Sequence, residues 1–281
     1  MVTIEAHFDE RMGKEVPERE LDAMAAAMPF LRGMFPTHHA YGAAGISEVL
    51  GEHPAKQVSA STLASMAFLN RGNHFEAVPL PSEAQLAPAF AVVVGDFDGD
   101  GAEDVFLSQN FFATEPQTSR ADAGRGLLLK GDGKGGLRPV PGQESGVVVY
   151  GEQRGAAVAD YDGDGRLDLV VTQNGTMTKL YHNLRAKPGL RVRLAGPPGN
   201  PTGIGAMIRL YSGGHSGPAR EIHGGSGYWS QDSAVQVLGL LPEPMQLWVR
   251  WPGGQTNTFD VPNGARAVEV QPEGKLRTVP H

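Results

Sequence analysis

Hydrophobic residues recur with three different rhythms along this chain, and each rhythm predicts a different kind of element. In residues 1–60 the rhythm is helical: Leu21, Met24, Ala25 and Met28 stand at i, i+3, i+4 and i+7, one face of a 3.6-residue period. Pro17 suits a first helical position, with Glu18 and Glu20 following near the positive end of the dipole. Pro29 is a stop signal. A second short helix is expected from Thr37 as N-cap to Leu50, ended by Gly51. The methionines read as core-facing, and the adjacent His38 and His39 would point apart on a helix, which argues against shared metal ligation.

From residue 61 to about 186 the apolar residues come in short β-rich runs, 91–94, 105–108, 156–159 and 169–172, which read as buried strands. Residues 68–75 and 127–137 each read as a strand, a Gly/Asn turn and a returning strand. Each is followed by a Pro-containing linker and an aspartate-rich stretch. A repeated strand-rich unit of this kind is the mark of a propeller blade. The long period is accounted for by a surface loop at 111–125. Residues 131–136 also match G-x-G-x-x-G, but the following Leu137, Pro139 and Pro141 cannot open a helix to hold a pyrophosphate, so the run reads as a hairpin turn. In 187–281 the rhythm becomes alternation. Leu247, Val249 and Trp251 fall on one face of a strand, with Trp248 and Arg250 on the other. Residues 190–194, 207–211 and 267–270 add strands, and 213–218 and 252–254 are turns. This section is expected to be a separate small all-β sandwich or barrel.

The two aspartate-rich stretches carry the chemistry. Residues 96–104 and 160–168 place aspartates at relative positions 1, 3, 5 and 9 and glycines at 4 and 6: Asp96, Asp98, Asp100 and Asp104, then Asp160, Asp162, Asp164 and Asp168. Crowded carboxylates repel unless a cation is present. Calcium, a hard ion taking six to eight oxygens at about 2.3–2.6 Å, fits the donor set. The glycines let the short loop curl. An EF-hand is excluded, because its twelfth position would be Leu107 or Val171 rather than glutamate, and strands rather than helices flank both loops. The bland alternative is a pair of solvated Asp-Gly hairpin turns, which duplication of the pattern disfavours. The expected fold class is therefore mainly β: partial β-propeller blades with calcium loops, then a small all-β domain, preceded by a short helical segment.

Composition narrows the functions. Net charge is −7 over 281 residues, and two calcium ions on the eight loop aspartates would bring it to about −3. There is no basic stripe for nucleic acid. Absence of cysteine removes disulfides, zinc-thiolate sites and a cysteine nucleophile. No apolar stretch is long enough to span a membrane. Glu5, Asp9, Glu10, Arg11 and Lys14 occupy the place of a signal-peptide core, so no export signal is expected in this sequence. His182, His215 and His223 read as surface or packing residues. No G-x-S-x-G, H-E-x-x-H or P-loop is present.

These motifs resemble a known combination. The aspartate loops with their flanking strands are similar to FG-GAP/VCBS repeats of integrin-type β-propellers. Residues 202–206 (Thr-Gly-Ile-Gly-Ala), 225–231 (Gly-Ser-Gly-Tyr-Trp-Ser-Gln), 237–240 (Val-Leu-Gly-Leu) and 249–254 (Val-Arg-Trp-Pro-Gly-Gly) resemble the ASPIC/UnbV domain. That domain follows such repeats in bacterial exported proteins and in the cartilage acidic protein group. Residues 13–60 resemble a helical segment that interrupts some long bacterial members. The resemblance implies calcium ligation by Asp96, Asp98, Asp100, the carbonyl of Ala102 and Asp104, and by Asp160, Asp162, Asp164, the carbonyl of Arg166 and Asp168. It implies a secreted, extracellular or periplasmic, non-catalytic binding or adhesion module with an unidentified protein or glycan ligand. Family members carry about seven blades against two here, so a longer gene product or completion by association is expected. Two alternatives remain in view. One is part of a polysaccharide-acting propeller enzyme; the other is a carbohydrate-binding tail using Tyr228, Trp229, Trp248 and Trp251.

Overall fold

The computed structural model describes residues 2–114 and 118–280, so residues 115–117 of the expected 111–125 loop lie outside the described residues. The chain forms two compact units, Met1–Leu63 and Ala64–His281.

The first unit begins with strands, not a helix. β1 (Ala6–Asp9) pairs antiparallel with β2 (Lys14–Pro17). Pro17, expected to open a helix, instead closes β2. The cause is local: the Asp9 carboxylate accepts the N–H groups of Arg11 and Met12, and Gly13 takes a positive φ. That turn folds the two flanking segments onto each other. The helical face then appears four residues later. α1 (Leu21–Ala27) buries Leu21, Met24 and Ala25. α2 (Leu31–Met34) follows, then α3 (His38–Gly42), capped by Thr37 Oγ1 accepting the Ala40 N–H at 3.0 Å, and α4 (Ile46–Leu50). The single helix expected from Thr37 to Leu50 is thus split. Gly45 is extended where it passes β2, and a Cβ there would meet Lys14 and the Glu15 carbonyl at 2.9 and 3.2 Å. Leu21, Met24, Leu31, Tyr41 and Val49 close this unit's core.

The second unit holds the aspartate loops. A hairpin of β3 (Met66–Asn70) and β4 (Phe75–Pro79) comes first. β5 (Ala89–Gly95), β6 (Asp104–Gln109), β7 (Leu127–Gly131) and β8 (Leu137–Val140) then form a four-stranded antiparallel sheet in chain order. A short α5 (Gly142–Ser145) leads to a three-stranded sheet of β9 (Glu152–Ala159), β10 (Asp168–Asn174) and β11 (Lys179–Tyr181), ordered β11-β10-β9. The phase of the repeat differs from expectation. Each aspartate hairpin shares a sheet with the strand that follows it, β7 or β11, not with the hairpin before it. Sequential antiparallel strands add most simply at the nearest free edge. The run 91–94 is also not buried throughout. β5 is the sheet's edge strand, so Ala91 and Val93 are in the core while Val92 and Val94 face outward. Ala91 and Val93 meet Phe106, Ala156, Val158, Leu169 and Val171, which joins the two sheets through one core.

Residues 190–278 form a sandwich, and none of its sheets closes into a barrel among the described residues. One sheet contains β12 (Leu190–Leu194), β16 (Gln236–Leu238), β19 (Ala267–Gln271) and β20 (Lys275–Thr278), with β12 parallel to β19. The other contains β13 (Met207–Ser212), β14 (His215–Ser216), β15 (Arg220–Glu221), β17 (Gln246–Arg250) and β18 (Thr256–Asp260). Leu190, Val192, Ile208, Leu210, Leu247, Val249, Val268 and Val270 fill the space between them. The alternation read at 247–251 holds: Trp251 is core, with its indole N–H donating to Asn257 at 2.8 Å. The expected aromatic set is therefore divided. Trp251 is buried and Trp248 lies half-buried on the opposite face of β17, while Trp229 is 90% exposed and Tyr228 packs edge-on against Phe90 of β5.

Candidate metal centres

Each aspartate loop joins an edge strand to its inner neighbour, β5 to β6 and β9 to β10. The register places Gly95 opposite Asp104 and Ala159 opposite Asp168, so the last carboxylate of each loop stands beside the residue that precedes the first. Gly99, Gly101, Gly163 and Gly165 all have positive φ. That conformation turns successive N–H groups inward, and only glycine adopts it freely.

The two loops share one hydrogen-bond scheme, to which the first adds a bond from the Asp100 N–H to Asp96 Oδ1 at 3.0 Å. The first-position carboxylate accepts from Gly99 and Gly101 (2.7 and 2.9 Å) in one loop and from Gly163 and Gly165 (2.8 and 2.9 Å) in the other. Oδ1 of the third aspartate accepts the N–H of the fifth at 3.2 Å in both. Oδ1 of the fifth accepts the N–H of the seventh residue, Ala102 or Arg166, at 2.9 Å. The ninth aspartate accepts from the second residue, Phe97 or Tyr161, and from the end of the third strand, Gly131 or Asn183. Backbone donors thus hold one oxygen of the third and fifth carboxylates and leave the other to converge.

One oxygen each from Asp96, Asp98 and Asp104, and likewise from Asp160, Asp162 and Asp168, lie within 4.8 Å of one another. Asp100 and Asp164 are not members of these triads, but Asp164 converges with Asp162 and His182 within the same 4.8 Å. Oδ2 of Asp98 and of Asp100 both face Lys130 Nζ, the latter at 2.8 Å. In the second loop Asp164 pairs with Arg166, and Asp162 Oδ2 lies 2.9 Å from His182 Nε2. In the first loop two free oxygens thus face one ammonium group, whereas in the second they are divided between Arg166 and the His182 ring. Burial pushes the Asp104 carboxyl up to about 6, with Asp98 and Asp96 adding to the rise, and burial also raises Asp96 and Asp168. At Asp100 burial acts upward, but the Lys130 hydrogen bond leads the effects that leave it below the ordinary range. Buried acids facing one another are relieved either by protonation or by a nearby cation, and an all-oxygen donor set is the kind a hard divalent ion takes.

Sequence reasoning missed several participants. Lys130 lies on β7, and His182 and Asn183 directly follow β11, so only the recurrence of a third strand after each loop would have signalled them. The C-terminal sandwich also reaches the loops. Arg220 binds Glu103, Arg191 Nε lies 2.8 Å from Asp160 Oδ2, and the Lys187 N–H donates to the Asp98 carbonyl at 3.2 Å. A Cβ at Gly99 would lie 2.3 Å from the Lys187 carbonyl, whereas one at Gly101 meets nothing. Both residues have positive φ, so alanine at either costs about 1 kcal/mol of backbone strain. Gly99→Ala is expected to lose roughly 2 kcal/mol more than Gly101→Ala in urea unfolding, an order-of-magnitude figure for overpacking. Equal losses would show that the 187–189 segment does not rest on the loop.

Residues 196–277 match the family model described as ASPIC and UnbV, in agreement with the resemblance read from the tail motifs. The chain is also similar to cartilage acidic protein 1. The Xenopus tropicalis protein is 31% identical over 192 residues, covering 63% of this chain and 28% of that protein. The human protein is 26% identical over 200 residues, covering 68% and 29%. The Mus musculus protein is 27% identical over 191 residues, covering 64% and 28%. The chain thus spans less than a third of the length of these relatives.

Proposed function

We propose that this chain is a non-catalytic binding module of the extracellular type whose aspartate loops are held in shape by calcium. The single observation carrying this reading is the shared donor set: two loops 64 residues apart in the chain each bring oxygens of their first, third and ninth aspartates within 4.8 Å of one another. In this reading Asp96, Asp98, Asp100 and Asp104 with the Ala102 carbonyl hold one ion. Asp160, Asp162, Asp164 and Asp168 with the Arg166 carbonyl hold the other. The β5–β8 sheet and the β9–β11 sheet are then blades of FG-GAP/VCBS type. Open hairpin sites of this kind bind calcium at about 10⁻⁴–10⁻³ M, which suits a protein working outside the cell. The ligand would be a protein or a glycan, and the likeness to proteins named for cartilage is compatible with either. The carboxylates are poorly suited to catalysis. Among the described residues Asp104 is the one acid raised to about 6, yet it is buried and both its oxygens are engaged by backbone N–H groups. A glycosidase acid must reach its substrate.

Isothermal titration with calcium tests the assignment. Two ions are expected for the native chain, one for Asp98→Asn/Asp100→Asn and one for Asp162→Asn/Asp164→Asn. Absence of calcium heat from the native chain at millimolar concentration would overturn it.

A further inference from the structure

We infer that the C-terminal sandwich is a working part of the first aspartate loop: Arg220 and Gly239 hold that loop in its ligand geometry, so cation binding and docking of the sandwich form one linked equilibrium. The inference rests on the calcium reading above and assigns its regulation to residues outside the loop.

Arg220 lies on β15, and its side chain is 9% exposed. Its Nε and Nη2 donate to the two carboxylate oxygens of Glu103 at 2.7 and 2.9 Å, while Nη1 donates to the Val237 carbonyl at 2.7 Å. A bidentate guanidinium fixes its partner in plane as well as in distance. Glu103 is the eighth loop residue, so its amide is the same peptide unit as the Ala102 carbonyl, the proposed seventh-position ligand. The other end of Glu103 is pinned as well: a Cβ at Gly131 would lie 2.0 Å from its carbonyl oxygen. Gly239 supplies the second contact. A Cβ there would stand 2.4 Å from Asp96 Oδ2 and 2.8 Å from Gly101 Cα, so the sandwich rests directly on the loop's first ligand. A buried ion pair is weak as a source of stability, because desolvation offsets its attraction. Its orienting effect on the loop is what the geometry offers.

The second loop has no such clamp. Its eighth residue is Leu167, which is buried in the apolar core, and the sandwich meets it at Asp160 through Arg191. The Arg220–Glu103 clamp is therefore specific to the first loop, and the coupling inferred here is the one that passes through it. By linkage it is also reciprocal: an ion at the first loop tightens the sandwich by the same factor.

Calcium titration of the full chain tests this, with Arg220→Met, Glu103→Gln and the exchanged pair Glu103→Arg/Arg220→Glu. Each is measured with the first loop silenced by Asp98→Asn/Asp100→Asn and, separately, with the second silenced by Asp162→Asn/Asp164→Asn. Arg220→Met and Glu103→Gln are expected to weaken calcium at the first loop about tenfold and to leave the second within twofold, with partial recovery in the exchanged pair. Calcium should also slow hydrogen exchange at residues 236–238 only when the first loop is intact. Should Arg220→Met fail to fold, Glu103→Gln, which keeps the shape, carries the test. Unchanged affinity in Glu103→Gln, or equal weakening at both loops, overturns the inference. If the native chain binds no calcium, the calcium reading itself falls and this inference with it. If it binds two ions and the variants hold them as tightly, only the inference falls.

Discussion

Calcium at about tenfold excess over its dissociation constant is expected to raise the thermal midpoint of this protein by roughly 6–12 °C relative to chelator. A ligand that binds only the folded state contributes RT ln(1 + [L]/Kd), about 1.4 kcal/mol per ion at that excess. Two ions give about 3 kcal/mol, and a unit of roughly 200 residues moves 2–4 °C for each kcal/mol. The sign follows from the charges. Without a divalent ion, Asp96, Asp98 and Asp104 face one another in a site where burial already pushes Asp104 up to about 6. A bound cation stabilises the ionised forms and removes that penalty. Magnesium at the same concentration should do much less, because it is smaller, prefers strict octahedral geometry and gives up its water reluctantly. Scanning calorimetry in EDTA, in calcium and in magnesium separates the cases. Identical midpoints in EDTA and in 10 mM calcium would mean that Lys130 and Arg166 are sufficient countercharge and that the loops take no ion.

Phe106→Ala is expected to cost about 3–5 kcal/mol, the range for truncating a fully buried phenylalanine. Phe106 has no exposed surface and lies where the two aspartate-loop sheets meet, against Ala91, Val93 and residues of β9 and β10. Its ring also occupies the space beside Gly126, where a Cβ would lie 3.2 Å away. The backbone on that side is too close to relax far into the cavity. Val92→Ala, on the outward face of the neighbouring strand at 52% exposure, should stay within about 0.5 kcal/mol. Urea unfolding of the pair reads the difference directly. A loss below about 1 kcal/mol at Phe106 would show that the two sheets do not share a core. The same variant should weaken both loops only modestly, since their carboxylates are held by backbone N–H groups of the hairpin itself and of Gly131 and Asn183.

What the sequence determined by itself is what depends on near neighbours. The face formed by Leu21, Met24 and Ala25, the Thr37 cap, the strands around each loop and the alternation through Leu247, Val249 and Trp251 all follow from spacings of a few residues. So does the curl of each aspartate loop, because its glycines and carboxylates lie within nine residues. Tertiary structure decided whatever needs a partner from afar. Pro17 sits in a strand because residues 6–9 fold back on it. Val92 faces outward because β5 is an edge, a fact about sheet order that no local pattern encodes. Glu103 looks like one more loop acid until Arg220, 117 residues away, closes on it. Local periodicity reports which face is apolar; which element covers that face, and which cation meets an acid, is set only when the chain has folded.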